Sequence, residues 1–245
     1  MIRDNRLKNK IAIVTGITGD IGQSILKALS AENIKVIGIS SDTKKKNKII
    51  KKLNEDKNVL EIIKCDLSNV KKIGKMCHQI IKKYKNIDIL INNAATLNLK
   101  NLEKFSNKEI ENIFNVNILA PIFLTKYFIK KMKKAKNGRI INICSSSSYH
   151  GGGKEGHTVY SSTKHALLGF SRALDEEVRK LNIRVSTISP AGVNTQMMKK
   201  RLKNSKDISK DSLMTTQEVS DALIFLLKSN GRGIVYEMRL SRMLR

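Results

Sequence analysis

The stretch I-A-I-V-T-G-I-T-G-D-I-G, residues 11 to 22, decides how this chain is to be read. Residues 11–15 are apolar or β-branched and read as a buried strand. Glycines at 16, 19 and 22 then allow a tight turn with close backbone approach, and helical spacing begins at Ile21. A strand that passes through a glycine-rich turn into a helix leaves the first N–H groups of that helix facing the turn, where they suit a pyrophosphate. A lone glycine cluster would be a weak sign, but here the strand before and the helix after are both present.

Outward from this stretch the same alternation repeats. Further strands are expected at 36–40, 59–63, 87–91, 139–143, 183–188 and 233–238, and helices at 21–31, 43–54, 69–84, 106–134, 158–181 and 216–228. The strands are continuous apolar runs, as in parallel sheets covered on both faces. No linker, repeat or low-complexity block interrupts the pattern. The expectation is an α/β fold: one domain over residues 1–245, a doubly wound parallel sheet of seven strands flanked by helices on both faces. The expected strand order is 3-2-1-4-5-6, with the seventh at the edge.

Composition narrows the function classes. The chain has 245 residues and a formal charge of +26, which raises nucleic acid as a partner. The lysines, however, are spread along predicted helix faces (44–46, 51–52, 82–83, 130–131, 133–134, 199–200), and aromatic residues make up 4% with no Trp, so stacking platforms are scarce. Specific nucleic-acid binding is therefore not expected. No stretch reads as a membrane span. The charged start M-I-R-D-N-R-L-K-N-K has no signal-peptide core, making the cytoplasm the expected location. Cys65, Cys77 and Cys144 form no C-x-x-C pair and read as buried free thiols. His150 and His157 have no second ligand at metal spacing, so no metal is expected.

Chemistry enters with V-Y-S-S-T-K-H-A-L-L-G-F (159–170). Tyr160 and Lys164 are four residues apart, so on a helix they share a face. A phenol has an ordinary pKa of about 10. A neighbouring ammonium lowers it, which suits acid–base work on a carbonyl or alcohol. Alone the pair would read as an amphipathic surface.

Taken with the segments upstream and downstream, the pair gains a context. T-G-I-T-G-D-I-G (15–22), I-N-N-A-A (91–95), F-N-V-N-I-L-A-P (114–121), R-I-I-N-I-C-S (139–145), the Tyr–Lys stretch and S-P-A-G-V-N-T (189–195) stand in one order. Together they resemble the short-chain dehydrogenase/reductase family over roughly residues 8–240. The resemblance implies a Rossmann-fold, NAD(P)-dependent oxidoreductase that exchanges a hydride with a ketone or secondary alcohol. It assigns Tyr160 as general acid/base, Lys164 as the residue that lowers the tyrosine pKa and holds the nicotinamide ribose, and Ser145 as the hydroxyl that orients the carbonyl. Asn117 takes the place of the asparagine that fixes a water relay to the lysine.

The same resemblance places the cofactor. Gly16, Thr18, Asp20, Ile21 and Gly22 would line the pyrophosphate, Asp66 and Leu67 the adenine, and the Asn93 and Ala94 backbone the centre. Val193 would meet the nicotinamide amide and Thr195 would offer its hydroxyl. Asp20 departs from the family's glycine; Asp tolerates positive φ and caps helices, so the turn survives with the carboxylate pointing away from the phosphates. Ser40 takes the slot of an NAD-selecting acid and Ser41 that of an NADP-selecting base. Asp42 lies two positions late and Lys44, Lys45 and Lys46 follow, which leans towards NADP(H) over NAD(H). Ala95 and Ala191 replace family glycines, and Gln196 to Thr215 matches a mobile substrate lid in position.

Two alternatives stay open in the sequence. Position after the fifth strand selects Ser145 as the catalytic serine, whereas counting back from the tyrosine selects Ser147; the H-G-G-G-K-E-G run (150–156) has room for the difference. The rival function is a cofactor-binding regulatory or scaffold protein with an impaired site. The expected partners are a small carbonyl or alcohol and, by the resemblance, a second copy or three, as a homodimer or homotetramer. The substrate itself is not legible.

Overall fold

The computed structural model describes residues 5–41, 47–150, 156–202, 213–229 and 233–242. Seven strands, β1 (Ile11–Thr15), β2 (Lys35–Ser40), β3 (Val59–Lys64), β4 (Ile89–Asn92), β5 (Gly138–Ile143), β6 (Ile183–Pro190) and β7 (Glu237–Leu240), form one sheet in the order β3-β2-β1-β4-β5-β6-β7. Every pairing is parallel. The order reverses between β1 and β4, where doubly wound sheets open a crevice at the carboxyl ends of their strands.

The helices are α1 (Asp20–Ala31), α2 (Asn47–Asn54), α3 (Val70–Lys83), α4 (Asn107–Phe114), α5 (Ala120–Ala135), α6 (Thr158–Val178), α7 (Gln196–Leu202) and α8 (Thr216–Lys228). Successive strand residues point to opposite faces, and two cores follow from that period. Ala12 and Val14 of β1, Ile89 and Ile91 of β4 and Ile141 and Ile143 of β5 join Ile25 and Leu29 of α1 and Leu223 and Leu227 of α8 in one cluster. Ile13, Leu90 and Ile140, the alternate positions, face Ile73, Leu124, Phe128 and Val178 of the helices on the other side. Full burial of each such side chain is worth about 1.5–3 kcal/mol.

Most element ends lie within two residues of the sequence expectation, and four larger differences stand out. The last strand was expected at 233–238 but pairs only over Glu237–Leu240. An edge strand alternates, here with Met238 and Leu240 packed on the core, and shows no continuous apolar run to mark it. The helix expected over 106–134 contains a π-helical turn, Asn115–Leu119, between α4 and α5. The helix expected over 158–181 stops at Val178, and a 3-10 turn, Arg179–Leu181, ends at Asn182 with φ 57°. Within the expected lid, Gln196–Leu202 forms a helix, and residues 203–212 lie outside the described residues.

The helical segment Asn107–Ala135 is long enough to cross a membrane, and an 18-residue window within it reaches a mean hydropathy of 1.2. Half of that window is buried inside the protein, and Leu124, Phe128 and Met132 of the segment are core residues.

Candidate active site

The functional segments gather at the carboxyl ends of β1, β2, β4, β5 and β6. The turn after β1 begins at Gly16, whose φ of 65° is a backbone state costly for any residue with a Cβ. Its N–H and that of Ile17 both donate to the Ile39 carbonyl of β2, at 2.9 and 3.3 Å, and Gly19 N–H closes the turn on Gly16 O at 3.0 Å. Gly22 sits in α1 where a Cβ would come within 2.8 Å of Ile17 Cα, so only glycine lets the helix lie this close to the turn. Gly19 is the N-cap of α1 and offers no side-chain cap, so among the described residues the helix's leading amides face the turn without a side-chain cap. This cradle fits a pyrophosphate.

Asp20 does not act as the expected cap and has no positive φ; it is the first helical residue. Its Oδ2 accepts from the Gln196 backbone N–H at 2.6 Å, across 176 positions of sequence. Thr18 and Ser40 are both buried, and their hydroxyls lie 3.0 Å apart. Ser41 follows at the exposed end of β2; Asp42 and Lys44–Lys46 lie outside the described residues. Asp66 is exposed and its Oδ1 accepts from Ser68 N–H at 3.0 Å, while the Leu67 side chain turns into the core.

After β4 the Asn residues have separate duties. Asn92 Nδ2 donates to Asn142 Oδ1 on β5 at 2.7 Å, and Asn142 Nδ2 donates to Ser171 Oγ on α6 at 2.7 Å, a buried chain that locks strand to strand to helix. The Thr15 hydroxyl accepts the backbone N–H groups of Asn93 and Ala94, each at 2.9 Å, and Asn93 Nδ2 donates back to Thr15 O at 2.9 Å. Thr15 thus ties the β4 loop to the turn after β1, a positioning role that no sequence signal marked. Ala95 keeps an ordinary φ.

The catalytic candidates converge on the end of β5. Lys164 is 2% exposed and its Nζ donates to the Ile143 carbonyl, the last residue of β5, at 2.9 Å. The same Nζ lies 5.7 Å from the centre of the Tyr160 ring, one helical turn earlier. Ser145 stands two residues past the end of β5 and is half-buried. Its Oγ accepts from Ser147 N–H at 3.1 Å, and its N–H donates to Ser148 Oγ at 3.3 Å, so the serine run folds into a turn capped by its own hydroxyls. Ser145 Oγ donates to no acceptor among the described residues, whereas Ser147 is 7% exposed. Asn117 sits in the π turn: its Oδ1 accepts from Thr96 N–H at 2.8 Å and its Nδ2 donates to Thr96 O at 2.9 Å and Thr163 Oγ1 at 3.1 Å. Such π turns recur at functional sites.

On the β6 side, Val193 is buried and bridges Met214. Thr195 Oγ1 accepts from Met198 N–H at 3.1 Å and so caps α7. His157 is buried and His150 exposed; no cluster of metal-ligating side chains exists among the described residues. A second arrangement, like that of Thr15, carries no sequence signal. Tyr149, at the end of the serine turn, donates to Glu237 Oε2 of β7 at 2.8 Å, and Arg172 Nη2 of α6 donates to the same oxygen at 3.1 Å. The Arg172 hydrogen bond, aided by Tyr149, holds the Glu237 carboxyl below its ordinary range against the opposing effect of burial. Nothing in E-M-R-L advertised a support for the serine loop.

The family model described as short chain dehydrogenase matches residues 10–206. The 3-oxoacyl-(acyl-carrier-protein) reductase FabG of Buchnera aphidicola subsp. Schizaphis graminum is 34% identical over 229 residues, covering 90% of this chain and 91% of that protein. The FabG of Buchnera aphidicola subsp. Baizongia pistaciae is 34% identical over 92% of each. Among solved structures, a 4-hydroxyisoleucine dehydrogenase complexed with NADH superposes with a TM-score of 0.85 at 26% identity, covering 95% of this chain and 97% of that one. ElxO with NADP bound superposes with a TM-score of 0.83 at 25% identity, with the same coverage.

Proposed function

The chain belongs to the short-chain dehydrogenase family, and from that premise we propose how its own residues carry the reaction. The protein is an oxidoreductase that moves a hydride between a nicotinamide cofactor and a carbonyl or secondary alcohol. When bound, the cofactor supplies or takes that hydride. The Gly16–Gly22 turn and the start of α1 hold its pyrophosphate. Asp66, with the Leu67 backbone, borders the adenine, the Asn93–Ala94 loop lies at the centre, and Val193 and Thr195 flank the nicotinamide.

Ser145 donates to the substrate oxygen and keeps the carbonyl aimed at Tyr160. Tyr160 gives a proton to that oxygen in reduction and takes it back in oxidation. The Lys164 ammonium stabilises negative charge on the phenolate as the proton leaves, and Asn117 braces the loop and helix around it. The observation that carries this reading is Lys164: a lysine 2% exposed, spending one donor on the last carbonyl of β5, beside a tyrosine on its own helix. A buried ammonium is costly, and its use at a reacting centre gives a reason for it.

The cofactor preference leans to NADP(H). Neither Ser40 nor Ser41 carries the carboxylate that binds a ribose diol and repels a 2′-phosphate, and Ser40 is already engaged with Thr18. The substrate class to try first is a 3-oxoacyl thioester, after the two Buchnera relatives; a homodimer or homotetramer is the proposed assembly. The test is to follow NADPH and NADH oxidation against 3-oxoacyl thioesters and a panel of simpler ketones. Faster oxidation with NADPH supports the reading, and no oxidation of either cofactor with any carbonyl contradicts it. Ser145→Ala is expected to lower kcat by about a hundredfold, the size of one lost oxyanion donor, and Ser147→Ala to leave it nearly intact; the reverse would move the role to Ser147.

A further inference from the structure

We propose that Asp20 is a positioning residue that clamps the start of α7 to the pyrophosphate turn, and that its charge sets how tightly the cofactor binds there. The proposal rests on the turn being the pyrophosphate site. Asp20 opens α1, and its carboxylate reaches the backbone N–H of Gln196, the first residue of α7, at 2.6 Å. A helix start has amides with no partner inside the helix. Thr195 Oγ1 takes the one at Met198, and Asp20 takes the one at Gln196. The second contact is charge-assisted, which makes it roughly twice as strong as a neutral one.

Two consequences follow. The loop with Val193 and Thr195 is anchored to the phosphate turn before any cofactor arrives, because the contact lies wholly within the protein. The same carboxylate stands in the first turn of α1, where a pyrophosphate would sit, so the clamp opposes anion binding while it orders the site. Glycine at this position would do neither.

The two effects separate in two variants. Asp20→Asn keeps an oxygen for the Gln196 N–H and removes the charge; Asp20→Ala removes both. Tryptic cleavage at Lys199, Lys200 and Arg201, measured without cofactor, reads the clamp. Asp20→Ala is expected to be cut there about five times faster than the unmodified protein, the factor of a lost helix cap, and Asp20→Asn at close to the unmodified rate. NADPH titration at low salt reads the charge, and Asp20→Asn is expected to bind roughly five times tighter, as for a partly exposed charge pair, with the gain fading at high salt. Cleavage of Asp20→Ala at the unmodified rate overturns the clamp. Unchanged or weaker NADPH binding by Asp20→Asn overturns the effect of the charge. Failure of the unmodified protein to bind NADPH or NADH would instead refute the proposed function, since the cleavage arm needs no cofactor.

Discussion

Lys164 shows how far a single residue can be read from a sequence and where that reading stops. Its spacing from Tyr160 was visible in the chain; its 2% exposure and its bond to Ile143 O were not, because they depend on where β5 ends. An ammonium buried this deeply is a liability to the fold, and replacement by an apolar side chain of similar length often costs nothing or stabilises. Lys164→Met is therefore expected to lose at least about a hundredfold in kcat, the low end of acid–base contributions, while its melting temperature holds or rises. A variant that melts lower and keeps its turnover would show that Lys164 serves the fold alone. Asp20 begins α1 rather than capping it, and its partner, Gln196, lies 176 positions away, beyond the reach of local sequence signals. Thr15 and Glu237 were missed for the same reason: their partners are distant in sequence, and neither residue type is unusual where it stands.

Elements were legible in proportion to their burial. Central strands announced themselves as apolar runs because both of their faces are covered, whereas β7 alternates and was placed several residues early. Apolar spacing gave the long segment 106–134 as one helix, yet the π turn at Asn115–Leu119 comes from how Asn117 bonds to Thr96 and Thr163, contacts that periodicity does not encode. Caps are encoded locally. Thr215 and Glu218 form a reciprocal capping box at the start of α8, with Glu218 N–H donating to Thr215 Oγ1 at 3.2 Å. Thr215→Ala is expected to cost about 1 kcal/mol, lowering the melting temperature by roughly 2–4 °C for a chain of this size. Calorimetry checks it, and no change would mean that packing against α1 holds this helix end without the cap.

At the scale of the molecule, the order of segments identified the sheet and the family, while charge and thiols describe how the protein responds to its solution. The cysteines are buried. Burial pushes the Cys77 thiol up from its ordinary 9.0 to about 12 and the Cys144 thiol to about 11, and raises Cys65 as well. Above pH 9 the unfolded chain releases these protons while the folded protein retains them. The stability they contribute is therefore whole below pH 9 and falls as pH rises from 9 towards 11–12. Urea midpoints are expected to decline over that window, and Cys77→Ser would flatten the decline; an unchanged slope would place its cause elsewhere. With a charge of +26, weak attachment to polyanions is expected at low salt. Counterion release predicts that it falls by orders of magnitude between about 50 and 200 mM salt, as a heparin-column or DNA titration would read, and tight binding that persists would reopen nucleic acid as a partner.

The proposed function turns on one claim, that Tyr160, on α6, passes the proton of a hydride-transfer reaction. The most direct measurement is NADPH oxidation by Tyr160→Phe on whichever carbonyl the unmodified protein reduces, with NADPH binding titrated on the same sample. The account predicts that kcat falls by at least about a hundredfold while the NADPH dissociation constant stays within about twofold. Turnover by Tyr160→Phe near the unmodified rate, with binding intact, would contradict it.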